Sequence, residues 1–423
     1  MSVSVARRLL LVSTNYAPEH AGIGPYAAQT AEHWAEDPAC EVHVLTGMPH
    51  YPAWRTDPAY QGAWRTTEQR AGVRVHRRRH TVPARQTALR RAGYELSILA
   101  HGTLAPPRMA PPHAVLAQLP SLAGGVLGAR LARRHRVPFV PVVQDLMGAA
   151  AAQSGIRGGG RAARAAAAVE SRILRAAALV GVIHESFVPK VAAMGVPRGR
   201  IRLVPNWSHV ARPQRPREET RRRLGWDDGR TVVLHSGNMG LKQGLEVLVE
   251  TARLDPGLRI VLMGDGNQRA ELVRLAAGLP NVDFCPPAGT DEFPEVLAAA
   301  DVLAVTQRAS VLDMSVPSKL TSYFAAGRPV LASVADGGGT AQEVRRSGAG
   351  RLVEPENPAA FAAAVHALTA DPDRSARLAA AGPVYVEREL SRTAGLSRLD
   401  RLVDEVLGHR TAAATTAPEG ART

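Results

Sequence analysis

Lysine is almost missing from this sequence: Lys190, Lys242 and Lys319 stand against 49 arginines. Cysteine is scarce as well. Cys40 and Cys285 lie far apart with no metal-ligand spacing. That excludes a disulfide framework or a zinc module and fits reduced, buried thiols in a cytosolic protein. Aromatic residues make up only 4% of the chain, so its cores must be built from leucine, valine and alanine. Long apolar runs are lacking too. The longest, 114–132, is broken by Gln118, Pro120, two adjacent glycines and Arg130, and falls short of the ~20 residues a spanning helix needs. No signal peptide precedes the first strand pattern. The expectation is a soluble cytoplasmic protein, at most peripheral on the inner face of a membrane.

At 423 residues the chain is long enough for two or three domains, and its 45% apolar content supports sizeable cores. The net charge of +14 is carried by arginines scattered in twos and threes with no interleaved aromatics. This pattern argues against nucleic acid and leaves an anionic membrane surface or anionic small molecules as partners.

The first half opens with an apolar strand at 9–13, a loop to Gly24, a helix over 25–36 and a strand over 41–46. A β–loop–α–β order predicts a parallel sheet with ligand at the carboxyl ends of its strands. Gly22-Ile23-Gly24 would let backbone approach a ligand, although the third glycine of a dinucleotide fingerprint is absent. Residues 48–64 gather His50, Tyr51, Trp54, Tyr60 and Trp64 with three prolines. Such a loop suits stacking on sugar rings or lipid, or is simply a packed surface loop. A helix over 87–104, apolar on one side and flanked by arginines, suits an anionic bilayer or a domain surface. The strand at 139–143 ends in Gln144-Asp145. That carboxylate is placed to contact a substrate hydroxyl, to transfer a proton, or to cap a helix.

The second half restarts the theme. A strand at 231–235 leads into Ser236–Gly244, a glycine-rich loop holding Gly237, Asn238 and Lys242. Small residues there let backbone N–H groups face an anion, with Lys242 adding charge. The next strand ends in Gly264-Asp265-Gly266. The stretch 316–329, VPSKLTSYFAAGRP, opens a helix with Pro317 in its first turn and Lys319 beside the free N–H groups; the alternative is a capped core helix with a solvated lysine. Gly337-Gly338-Gly339 leads to Glu343. The expected domains are 1–205, a linker at 206–217, 218–382, a helical segment at 383–408 and a disordered tail at 409–423.

Taken in order and spacing, six stretches resemble the family 4 retaining glycosyltransferases of the GT-B fold. They are Tyr16–Gly24 (YAPEHAGIG), Gln144–Leu146, Val204–Asn206, His235–Gly244 (HSGNMGLKQG), Gly264–Gly266, and Val316–Tyr323 followed by Ala326–Val330. The resemblance covers roughly 8–405 and is nearest the colanic-acid and capsule branch. It implies an α/β fold of two Rossmann-like doubly wound domains facing a central cleft, with the C-terminal helix returning to the N-terminal domain. It also implies a nucleoside-diphosphate sugar donor and a glycan, lipid-linked or small-molecule acceptor, with no metal and no other cofactor. By this resemblance Gly22 and Gly24 lie near the donor phosphates and reacting sugar, and Gly237, Asn238, Lys242, Ser318 and Lys319 near the diphosphate. Gly264 and Gly266 flank the base, Glu343 contacts the donor, and Asp145 sits beside the transferred sugar. His50, Tyr51, Trp54 and Asp145 form the acceptor set, and Asp145, Lys242 and Lys319 the catalytic set. The family's Glu-x7-Glu pair is replaced by Met314 and Ser322, leaving the Ser322 hydroxyl at the ribose position. No Asp-x-Asp pair is read as a metal motif. Two other functions share the architecture: a sugar-nucleotide 2-epimerase, which needs no acceptor, and a non-catalytic nucleotide- or glycan-binding module.

Overall fold

A computed structural model describes residues 7–83, 87–146, 159–208, 210–211, 213–311 and 318–415. Gly148–Ala150, Met314, Val316, Pro317 and the end of the expected tail lie outside the described residues. Contacts divide the chain into two units, one ending at Asn206 but regaining the chain from Leu396 onward, the other spanning Trp207–Gly395.

The first unit runs β1 (Arg7–Val12), α1 (Gly24–Ala35), β2 (Cys40–Gly47), β3 (Arg65–Arg70), β4 (Val73–Arg78), α2 (Ala88–Leu104), β5 (Ala114–Leu119), α3 (Leu122–His135), β6 (Phe139–Val143), α4 (Gly159–Arg175), β7 (Val180–Val182), α5 (Phe187–Ala193) and β8 (Ile201–Leu203). Its sheet has the order β3-β4-β2-β1-β5-β6-β7-β8. Every pairing is parallel except the edge pair β3–β4. The central strands are continuous apolar runs because helices cover both faces. β5 is buried along its whole length. The order reverses direction between β1 and β5, and there the loops after β1, β2, β5 and β6 converge at the carboxyl ends, where open α/β sheets bind ligands.

Strand β3 escaped the sequence reading. Its sequence, RTTEQR, has no apolar face and reads as loop, yet it is an edge strand whose charges suit an unpaired border. The reason it forms is Arg77. That arginine, read among scattered surface charges, is fully buried. Its Nε donates to Glu68 of β3 at 2.8 Å, a second nitrogen donates to the Ala17 carbonyl, and its guanidinium lies 5.0 Å from the Tyr60 ring. Arg78 is buried too, donating to the Ala105 carbonyl at 2.6 Å.

The second unit runs α6 (Arg217–Leu224), β9 (Thr231–Ser236), α7 (Glu246–Leu254), β10 (Leu258–Met263), α8 (Arg269–Leu275), β11 (Val282–Cys285), α9 (Phe293–Ala299), β12 (Val302–Thr306), α10 (Lys319–Ala325), β13 (Val330–Ser333), α11 (Gly339–Ser347), β14 (Gly350–Val353), α12 (Pro358–Thr369), α13 (Pro372–Glu389) and the start of α14 (Arg392–Thr415). The sheet order β11-β10-β9-β12-β13-β14 is parallel throughout. The helical segment expected at 383–408 is instead two helices, and the second runs to Thr415, into the stretch expected to be a disordered tail. α13 continues through Pro383, against the usual cost of proline in a helix interior. Close packing accompanies this: a Cβ on Gly382 would fall 2.5 Å from the Phe324 carbonyl, so α13 lies directly on α10. From Leu396, α14 packs in the first unit. There Asp400 accepts from Trp34 Nε1 at 2.9 Å and meets His33 Nε2 at 2.9 Å, while Glu405 pairs with Arg202. Among the described residues no helix is long and apolar enough to cross a membrane.

Candidate active site

In the second unit two glycine loops touch backbone to backbone. Gly237 N donates to the Met263 carbonyl at 2.8 Å, and Met239 N to the Asp265 carbonyl at 2.8 Å. Gly264 has φ +139°, and a Cβ there would fall 2.0 Å from Gly237 O. Gly266 would meet Met239 O at 2.4 Å. The turns after β9 and β10 approach this closely only because both positions lack side chains. The result is a floor of main chain at the carboxyl ends of two neighbouring strands, which is what a ligand lying across those ends requires.

Lys319 begins α10 and reaches onto that floor. Its Nζ is 3.1 Å from Nε2 of His235, the fully buried fifth residue of β9, and 3.6 Å from where a Gly237 Cβ would be. Burial lowers the Lys319 ammonium to about 7. The same burial, and then the Lys319 charge, hold His235 well below the ordinary imidazole range. A neutral His235 therefore presents a lone pair to Lys319 and fixes its nitrogen in place. Tyr323, four residues on, locks the helix to the strand: its hydroxyl accepts from Ser236 N at 2.7 Å. Sequence reading identified Lys319 but not His235 or Tyr323; the one available signal was a histidine inside an otherwise apolar strand.

Lys242 is exposed on a 3-10 turn, Leu241–Gln243, closed by Gly244 at φ +57°. Arg308, also missed, braces that turn: it donates to the Leu241 carbonyl at 2.8 Å and pairs with Glu246 and Glu356. Asn238 and Ser318 are exposed, and Ser322 is part-buried on α10. Glu343 is buried on α11, where it accepts from the Tyr385 hydroxyl at 2.7 Å. The lone Asp-x-Asp in the chain, Asp371-Pro372-Asp373, is accounted for locally: Asp371 caps α13 by accepting from Arg374 N.

In the first unit the organiser is Glu19, an acid within the Tyr16–Gly24 stretch that nothing in the sequence alone singles out. Its buried carboxylate accepts from Tyr16 N at 3.2 Å, His50 N at 2.7 Å and Tyr51 N at 2.8 Å. One side chain thus ties the loop after β1 to the loop after β2. Gly22, at φ +64°, packs under Tyr51, whose ring would lie 3.1 Å from a Cβ there. Gly24 leaves room for the Glu19 backbone at 3.1 Å. His50 is buried, with one ring nitrogen 3.0 Å from the Met48 carbonyl and the other 3.1 Å from the Tyr94 hydroxyl. Burial lowers its basicity, and takes the neighbouring His80 down to about 4. His50 is therefore a neutral packing element among Trp54, His80 and Tyr94. Tyr51 and Trp54 are part-buried and meet edge to face, with Arg91 lying 5.0 Å over the Trp54 ring. Asp145 follows β6, its carboxylate accepting from Leu146 N at 2.8 Å. Beside it Gln144 donates to Gln118 and accepts from Asn206, joining the ends of β5, β6 and β8.

Comparison with known proteins agrees with this division. Residues 21–207 match the glycosyl transferase 4-like domain and 230–371 match glycosyl transferases group 1. The putative colanic acid biosynthesis glycosyl transferase WcaI of Escherichia coli (strain K12) is 32% identical over 333 residues, 76% of this chain and 81% of that protein. Among solved structures, sucrose-phosphate synthase from Thermosynechococcus elongatus superposes with a TM-score of 0.73 at 19% identity, covering 95% of this chain and 100% of its own. HepE of Anabaena, solved in complex with UDP, gives 0.67 at 15% identity, covering 94% of this chain and 100% of its own.

Proposed function

The chain belongs to the glycosyltransferase family that joins a 4-like domain to a group 1 domain, and on that premise we propose that it takes its sugar from a nucleoside-diphosphate sugar, with retention at the anomeric carbon and without a metal. It is a glycosyltransferase of polysaccharide or glycan biosynthesis. The proposed acceptor is a glycan, a lipid-linked glycan or a small molecule, within cell-surface polysaccharide assembly.

The observation that carries this reading is Lys319 held by His235 over the Gly237–Gly264 floor. A diphosphate laid on that floor would face main chain, and Lys319, held by His235, supplies a positive charge beside it. Lys242, on its exposed turn, supplies a second. As the bond from the anomeric carbon to the phosphate oxygen breaks, negative charge builds on the diphosphate. Preorganised cations and N–H groups stabilise that charge more than the ground state, which is how they lower the barrier. The acceptor oxygen bonds to the anomeric carbon on the same face, and its proton passes to the departing phosphate oxygen. Asp145 is assigned to the transferred sugar, where its carboxylate favours positive charge developing on the ring. Tyr51 and Trp54 offer faces for an acceptor sugar. His50 contributes by position only, since both its nitrogens are engaged.

The test is calorimetric titration of the full chain with UDP, the nucleotide bound in HepE, then GDP, ADP and TDP, each with and without EDTA. Tight binding of one of them, unaffected by EDTA and weakened in Lys319→Ala, is expected. Binding that requires a divalent metal would overturn the metal-free reading. Turnover of a nucleotide sugar to an isomer without any acceptor would point to the epimerase instead.

A further inference from the structure

The candidate site occupies the carboxyl ends of the first sheet's strands. A second hollow, of about 1040 Å³, lies at the amino ends. Its lining comes from Val137–Phe139 at the start of β6, Ala176–Leu179 just before β7, Gly199, Arg200 and Arg202 at the start of β8, and the later turns of α3 and α4. Parallel strands put these two regions on opposite edges of the sheet, so the hollow is not part of the site described above. Its size is at the top of the ~300–1,000 Å³ range of ligand pockets.

Its chemistry is two-sided. The floor is apolar, with Phe139, Ile173 and Leu179 buried beneath Val126 and Val169. The wall holds six arginines, Arg130, Arg133, Arg172, Arg175, Arg200 and Arg202, against one acid, Glu405, which already pairs with Arg202. Arg130, Arg133, Arg172 and Arg200 are exposed and have no side-chain partner among the described residues. Two like-charge pairs at i,i+3, Arg130/Arg133 and Arg172/Arg175, repel along their own helices. An arginine-rich composition explains exposed arginines anywhere on the surface. It does not explain four exposed arginines, without a side-chain partner among the described residues, rimming an apolar hollow, where a bound anion would relieve their repulsion and an alkyl chain would cover the floor.

We propose that this hollow binds a single anionic phospholipid, its phosphate among Arg130, Arg133, Arg172 and Arg200 and the first part of an acyl chain on Val126, Val169 and Ile173. A guanidinium fork matches phosphate oxygens in pairs, and the apolar floor distinguishes a lipid phosphate from a free one. The exposed leucines of α2, Leu89, Leu96 and Leu104, are not among the residues that line this hollow.

The test is co-sedimentation of the full chain with phosphatidylcholine vesicles with and without phosphatidylglycerol. A variant with Arg130, Arg133, Arg172 and Arg200 all changed to Gln should lose vesicle binding by about a thousandfold, since each basic group near an anionic bilayer contributes separately, about fivefold apiece. Val169→Asn should weaken binding of a soluble short-chain phosphatidic acid, measured by calorimetry, while inorganic phosphate should not compete with it. All these side chains are at least partly exposed, and thermal melts report whether the variants fold. The proposal fails if the quadruple variant binds vesicles normally, or if four Arg→Gln changes away from the hollow, at the exposed Arg65, Arg70, Arg79 and Arg108, cost as much. It fails equally if the hollow takes an acidic polypeptide such as polyglutamate but no lipid. Nucleotide binding by the quadruple variant should be unchanged, so this result is independent of the donor-site assignment.

Discussion

Lys319 Nζ rests 3.1 Å from Nε2 of a fully buried His235, 84 residues earlier in the chain. The pair couples a helix start to the interior of a strand, and it places a cation of lowered basicity on a floor of backbone. Ion binding and folding therefore respond to pH in opposite senses.

With Lys319 lowered to about 7 by burial, part of the free protein carries it neutral just above neutrality. A bound diphosphate favours the charged form, so binding at pH 8 should take up a proton. Affinity should fall as pH rises through 7. Calorimetry in buffers of different ionisation enthalpy reads the uptake directly. A binding enthalpy independent of buffer would show that Lys319 does not face the phosphates.

For folding the sign is reversed. Unfolded, Lys319 titrates near ~10.4, so between about 7 and 10 the unfolded chain binds the extra proton and the native state gains stability as pH rises. Below 7 the native state must bury a charge. Lys319→Met should therefore raise the urea midpoint at pH 6 and leave it nearly unchanged at pH 10, while abolishing nucleotide binding. A midpoint shift equal at both values would contradict the lowered basicity.

Glu19 accepts three backbone N–H groups from two loops. Glu19→Ala leaves those donors buried without a partner and should cost about 3 kcal/mol in urea unfolding, within the range for removing a charged buried acceptor. Acceptor turnover should fall too, because Tyr51 N is one of the three donors. Nucleotide binding by the second unit should survive.

Gly264→Ala places a Cβ 2.0 Å from the Gly237 carbonyl at a φ of +139°. Both the clash and the backbone conformation oppose it, and a loss of about 3 kcal/mol or more is expected. Gly337→Ala, whose Cβ would meet nothing within 4 Å, is the control and should melt like the wild type.

Asp145→Asn keeps the size of the side chain and removes its charge. Turnover should drop by about a hundredfold or more while the affinity for nucleoside diphosphate stays within about twofold. Wild-type turnover would reduce Asp145 to the cap of its own turn.

What the sequence determined by itself was the linear part of this protein. The apolar runs at 9–13, 139–143 and 231–235, the glycines at 22, 237, 264 and 266, and the order of the buried parallel strands and the helices between them are legible residue by residue, whereas the polar edge strand β3 is not. Each depends on local backbone freedom or on burial of both faces of a strand. Lys319 stood out because the chain spends almost no lysine elsewhere. The tertiary structure alone decided the partners. Glu19 looked like one acid in a loop until folding brought Tyr16, His50 and Tyr51 N–H groups to it. Arg77 looked like surface charge until Glu68 and the Ala17 carbonyl, sixty residues away, enclosed it. His50 looked like a ligand contact until both its nitrogens were engaged. The arginines of α3 and α4 and those around β8 looked like charges scattered in twos and threes until the amino edge of the sheet gathered them around one hollow. Burial and hydrogen bonding depend on which distant segments meet, and that is set by how helices pack across a sheet, a relation with no period or spacing along the chain.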